Sequence, residues 1–239
     1  MDYVVPSHIY TCATAAGVVV LNARSGKYSI VPVDRAQTLE GVVQGWPALR
    51  LGEATSGNPV ALSSLLNSLI HGGIVMPVTG PHLRRCERPA ISLARKAILD
   101  ALAAKHRPKI HSRDVGTFAL SVLYAAFALK FRSFETLLNT LRQRKECRTR
   151  LAAGPSIEQI REYVRVFSWL RPFAYAESQA CLFDSVALTD FLYRHGVLAD
   201  LLIGVQIRPF VAHSWVQTQG FALNGLPEYL AAYTPILSV

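Results

Sequence analysis

Two side chains thirty-two residues apart, Cys181 and His213, carry the reactive chemistry this sequence offers. Cys181 lies at the head of an apolar, helix-patterned run, ACLFDSVALTDFLYRHG, which Gly196 closes. Unsatisfied N–H groups and the dipole at a helix start favour a thiolate. The same N–H groups can later hold an oxyanion, which is why acyl-transfer enzymes place a nucleophile there. His213 sits in AHSWVQ, a strand pattern, where an imidazole can take the thiol proton. Asp184, three residues after the cysteine, reads as a first-turn acid that suits the dipole rather than as a triad member. A plainer reading stands beside this one. Cysteine is among the most often buried residues, and a histidine sharing a strand face with Trp215 is commonly core or rim.

The elements that must position this pair follow from the pattern around it. LLIGVQ (201–206), HSWVQT (213–218) and FALN (221–224) read as successive short strands, the last two turning at Gln219-Gly220. Upstream, residues 90–170 are helical in period, with interruptions near His106-Pro108 and at Gly154-Pro155. Ser156 with Gln159 fits a capping box for a helix through Leu170. The apolar run Val115–Leu129 is fifteen residues long, short of the ~20 that span a bilayer, and reads as a core helix. In the first eighty residues Ile9–Thr14 is β-prone. Val18–Asn22 and Lys27–Val31 then flank a Gly-containing turn, as a hairpin would. Asp34 caps an expected helix reaching about Gln44, and Pro59–Ile70 predicts another, ended by Gly72-Gly73. Val78–Pro89 reads as a linker. The expected fold class is α+β: a module at 1–80 with a small three-stranded sheet plus helices, then a domain at 90–239 with a helical region, a cysteine helix and an antiparallel sheet.

Charge and cysteine usage narrow the classes of function. The formal net charge of +9 is concentrated between Arg84 and Arg150, where sixteen Lys/Arg meet five Asp/Glu. Such an excess attracts acidic partners or simply forms solvated helix faces. Cys12, Cys86, Cys147 and Cys181 show no CxxC pair, and the start MDYVVPSHIY lacks a basic signal region, so a reducing cytoplasm and no membrane insertion are expected. His8, His71, His82, His106, His111 and His195 have no metal-ligand spacing, so no metal is expected, and His195 suits a helix C-terminal cap. No phosphate-cradling GxxxxGK[ST] occurs, since Gly26-Lys27 is followed by Tyr28.

From Ala180 to Val239 the run CLFDSVALTDFLYRHGVLADLLIGV, then HSWVQ, then the tail YTPILSV resembles the B protein of lasso peptide biosynthesis, a cysteine protease of transglutaminase-like, papain-like fold. The first eighty residues, through their hairpin, helix order and LLNSLIHGGIV, resemble the PqqD-like precursor-recognition element often fused to such proteins. The resemblance of residues 180–239 to the lasso B proteins implies Cys181 as nucleophile and His213 as base. The family's third residue, an Asp, falls on Gly225 of Leu223-Asn224-Gly225. Asn224 can orient the imidazole through its amide oxygen, as in papain-like proteases. Glu228 is the other candidate, and a dyad is the third option. The implied substrate is a precursor peptide cut between leader and core. The implied partner is an asparagine-synthetase-like cyclase, through which any ATP would be used, this chain having no recognisable cofactor motif. The implied leader contact is strand addition at Tyr28 and Ile30, with Leu65 and Leu69 on the adjoining helix.

Leucines at helical spacing are also what a core needs, and strand-plus-helix order suits a winged-helix DNA binder. Only Arg24, Lys27, Arg35 and Arg50 lie in that module, which argues against nucleic acid. Two rivals remain for the whole chain: a non-catalytic leader-binding scaffold, and a Cys–His acyltransferase on the same framework.

Overall fold

A computed structural model of the chain describes residues 3–49, 59–78, 91–94, 96–98, 107–149, 154–175 and 181–239. The chain divides into two compact units, Met1–Ala90 and Ile91–Val239. The expected linker, Val78–Pro89, lies outside the described residues apart from Val78.

The first unit holds β1 (Tyr3–Val4), β2 (Ile9–Thr14), β3 (Gly17–Asn22), β4 (Lys27–Pro32), α1 (Val33–Gln37), β5 (Val43–Gln44), α2 (Pro59–His71) and β6 (Met76–Pro77). β2, β3 and β4 form an antiparallel meander with β3 central and β4 on an edge. Gly17 makes the first turn feasible: its φ is +128°, and a Cβ there would lie 2.1 Å from the Val31 carbonyl oxygen. The second turn is held by the Asn22 side-chain oxygen, which accepts from the N–H groups of Arg24 and Ser25. A second sheet has the order β5-β1-β6. Ile9, Val18, Val20, Val31, Leu39, Val43, Leu66 and Leu69 meet in one core.

The helix expected from Asp34 to about Gln44 stops at Gln37. Gly41 takes a left-handed φ of +76°, which ends the helical path, and Val43 pairs instead with Tyr3.

The second unit holds β7 (Lys96–Ala97), α3 (Ser112–Phe131), α4 (Phe134–Thr149), α5 (Ile157–Leu170), α6 (Cys181–Arg194), β8 (Asp200–Gln206), β9 (Val211–Thr218), β10 (Phe221–Ala222), α7 (Pro227–Leu230) and β11 (Thr234–Ser238). Its sheet has the order β11-β8-β9-β10-β7, antiparallel except between β10 and β7. Ser156 and Gln159 form the capping box that opens α5: the serine oxygen accepts from Gln159 N–H, and the glutamine oxygen from Ser156 N–H. α6 is buried from Asp184 to Tyr193 because α3 and α5 pack along it while β8 and β9 cover another side. Phe118, Phe167 and Phe191 join the three helices, with ring centroids 5.3 and 5.5 Å apart.

α3 departs from the core helix expected. Its small residues Ser121, Ala125 and Ala128, with Phe118, are the buried ones, whereas Leu120, Leu123, Phe127 and Phe131 are each more than half exposed. By length and composition it is the one helix among the described residues that is long and apolar enough to cross a membrane. His195 likewise differs from a terminal cap: its ring is stacked 4.3 Å from Tyr163 and lies 4.5 Å from Phe191, and burial lowers its pKa.

Candidate active site

The site forms where β10 runs out. Strand alternation directs the N–H groups of Ser214 and Val216 toward the β10 side of β9, away from β8. β10 is only two residues long, so it leaves those groups uncovered. The Asn224 side-chain oxygen takes the Val216 N–H at 2.7 Å. The Cys181 sulfur, at the first residue of α6, receives the Ser214 N–H.

The thiol of Cys181 is half-buried and its pKa is lowered to about 7. The largest cause is its hydrogen bond with the His213 ring. Burial opposes that effect, and the N–H and hydroxyl of Ser214 reinforce it. The Ser214 hydroxyl is buried and makes no hydrogen bond among the described residues, and its proximity to the sulfur adds to the lowering. The first N–H groups of α6 have no acceptor within the helix and face the same end. A thiol, an imidazole and the start of a helix at one point can perform acyl transfer.

This geometry sets a pH dependence. A thiol with pKa about 7 is roughly one-tenth thiolate at pH 6 and nine-tenths at pH 8, so its alkylation by iodoacetamide is expected to rise about tenfold over that interval and then level. Cys12, whose thiol burial pushes up to about 12, is expected to stay unlabelled in the folded chain. Peptide mass spectrometry of the labelled chain reads both sites.

Asn224 does not hold the expected place beside the imidazole. Its oxygen accepts from Val216, and its nitrogen donates to Asp184 at 2.9 Å and to the Ser185 hydroxyl at 3.1 Å. The amide therefore ties the end of β10 to α6. Asp184 in turn is more than a dipole-facing acid. It is 5% exposed and also accepts from the Tyr175 hydroxyl at 2.8 Å and from Arg171 at 3.5 Å. Sequence reasoning missed this hub, whose only local signal was an acid inside an otherwise apolar helix face. Glu228 is exposed on α7. At Gly225 a side chain would meet Leu230 at 3.1–3.3 Å, a contact with flexible carbons.

In the first unit, Tyr28 and Ile30 lie on the edge strand β4, with Ile30 41% exposed. Leu65 is half-buried and packs on the core. Leu69 is 6% exposed inside that core, which corrects its assignment to peptide contact: the last turn of α2 spends it on packing.

No group of three or more His, Cys, Asp or Glu is gathered as metal ligands among the described residues. A separate concavity of about 690 Å³ lies between α4 and α6, lined by Arg144, Cys147, Asp190 and Arg194 among others. Asp190 is buried there between Arg144 and Arg194. Nine residues of helix, about 13 Å, separate it from Cys181.

Residues 121–238 match the Transglutaminase-like superfamily, just under half of the chain. Forty-eight residues are 42% identical to the microcin J25-processing protein McjB of Escherichia coli. That stretch is 20% of this chain and 23% of the relative, so the chain matches about a quarter of the curated protein's length. No solved structure matches. The cysteine helix and the histidine strand both fall inside the matched span, and the chain thus carries a transglutaminase-like domain over residues 121–238.

Proposed function

We propose that this chain is a cysteine peptidase that frees the core of a lasso-type precursor peptide from its leader. The observation that carries this reading is the Cys181 thiol at the start of α6, brought to a pKa of about 7 chiefly by His213. The partial likeness to a microcin-processing protein supports the substrate class.

In the reaction His213 takes the Cys181 proton, and the thiolate adds to the carbonyl at the leader–core junction. The N–H groups at the start of α6 hold the resulting oxyanion. Collapse breaks the C–N bond, and protonated His213 gives its proton to the departing amine of the core. Water, deprotonated by His213, then hydrolyses the leader thioester and returns the free thiol. The released amine suits a cyclase of the asparagine-synthetase type, which would supply the ATP chemistry. Incubating the full chain with a candidate precursor and reading the products by mass spectrometry tests this. Two fragments summing to the precursor plus one water support it, and an intact precursor at pH 8 sinks it.

The first unit is read as the leader-recognition module, taking the leader as a strand on the β4 edge beside Tyr28, Ile30 and Leu65. Ile30→Glu puts a charge on that edge and is expected to weaken leader affinity about tenfold by fluorescence anisotropy, with little change in melting temperature. Equal affinity would remove the assignment.

Gly225→Asp restores a carboxylate where the lasso B proteins carry one. Leu230 must yield by a few tenths of an ångström, which its side chain can do. The expected outcome is a stable variant whose cleavage rate rises about tenfold. An unchanged rate would show that the site gains nothing from the carboxylate.

A further inference from the structure

His213 has two aromatic neighbours and a glycine that lets them close in. The two-residue period of β9 puts His213 and Trp215 on one face. Their rings are 17° from parallel with centroids 6.2 Å apart. Tyr233, the residue before β11, brings its ring to 5.2 Å from the imidazole at 35°. Between them lies Gly204 of β8, paired with His213 on one side and with Pro235 on the other. A Cβ at position 204 would fall 2.8 Å from the Tyr233 Cβ and 2.9 Å from two ring carbons of Trp215. No ordinary side chain fits there, so the glycine supplies the space in which both aromatics lie over β8. Trp215 is fully buried in a cluster with Leu202, Ala222 and Leu230, and Tyr233 packs against that cluster. The rings are therefore held by the fold, not by the histidine.

An imidazole that serves as base must keep one orientation through proton transfer. A carboxylate or amide acceptor does this elsewhere, but Asn224 is bonded to Val216, Asp184 and Ser185, and position 225 has no side chain. We propose that Tyr233 and Trp215, seated across Gly204, are the positioning residues of His213 and hold its ring against Cys181 by aromatic contact. This rests on the peptidase reading of the pair. The Tyr233 ring, at 5.2 Å, also attracts the imidazolium formed when the proton crosses, which a purely aliphatic wall would not do.

The test uses the full chain and iodoacetamide, with alkylation of Cys181 read by peptide mass spectrometry between pH 5.5 and 9. It needs no peptide substrate, so it stands or falls separately from precursor cleavage. Tyr233→Phe keeps the ring and is expected to reproduce the native profile, with its midpoint near 7. Tyr233→Leu keeps an apolar side chain but not the ring. It is expected to slow Cys181 alkylation at pH 7 about fivefold and to move the midpoint toward the ordinary thiol range. Gly204→Ala displaces both rings without deleting either, and is expected to shift the midpoint the same way. Exposed Cys147 is the internal control, and its profile should be the same in every variant. Superimposable profiles for native chain and Tyr233→Leu would overturn the proposal, as would a Tyr233→Phe profile as altered as that of Tyr233→Leu. A native midpoint after Gly204→Ala would also overturn it. Normal alkylation shifts in a chain that cuts no precursor would leave the positioning intact and remove only the peptidase function.

Discussion

Cys181→Ala is expected to abolish release of the leader, lowering the rate at least 10³-fold, while leader affinity stays within a factor of two. The nucleophile cannot be replaced by its neighbours. The Ser214 hydroxyl beside it lacks a base of its own, and water attacking directly would need a barrier several kcal/mol higher. The substitution removes a half-buried sulfur at a helix end, so the fold should tolerate it. Cleavage is measured by chromatography of precursor and products, and affinity by anisotropy of a labelled leader. Undiminished cleavage would end the peptidase reading. Loss of affinity with unchanged turnover of bound peptide would instead place Cys181 in a binding surface, as the scaffold reading requires.

Asp184→Ala is expected to have the largest effect on stability, about 3 kcal/mol, because a buried carboxylate shared by three donors is removed. Asn224, Tyr175 and Arg171 each lose an acceptor in a region water does not reach freely. For a unit of this size the loss corresponds to roughly 10 °C in melting temperature. Asp184→Asn, which keeps an oxygen acceptor at nearly the same place, should lose less than half as much. The activity effect should run in parallel, since Asp184 stands one turn beyond Cys181 and its partner Asn224 finishes the strand edge against which the sulfur rests. Thermal melts of the two variants settle this: an alanine variant as stable as the native chain would show that the network contributes nothing net.

How much of this could be read in the residues alone depended on distance along the chain. Ser156 and Gln159 are three apart and announce α5 by themselves; Asn22 to Gly26 do the same for the turn between β3 and β4. Cys181 and His213 were legible as a pair because each sits at a recognisable place in a locally patterned element. The two-residue strands β1, β5, β6 and β7 were not legible, for they exist only by pairing: Tyr3 with Val43 and Pro77, Lys96 with Phe221. β11 was hidden by Pro235, a residue that an edge strand accepts. The bond from Asn224 to Asp184 joins residues forty apart, so no local pattern distinguishes it from a bond to the histidine. α3 shows the converse error. Its fifteen-residue apolar run suggests burial all round, but α6 is met by the small residues, and the large ones face outward.

The packing around Gly204 also has an evolutionary meaning. Because a methyl group there would collide with Trp215 on one side and with Tyr233 on the other, the three positions are not free to drift singly. A lineage that gained a side chain at 204 would have to shrink or redirect the rings at 215 and 233. Divergent sequences of this kind should therefore keep all three residues together or exchange them as a set.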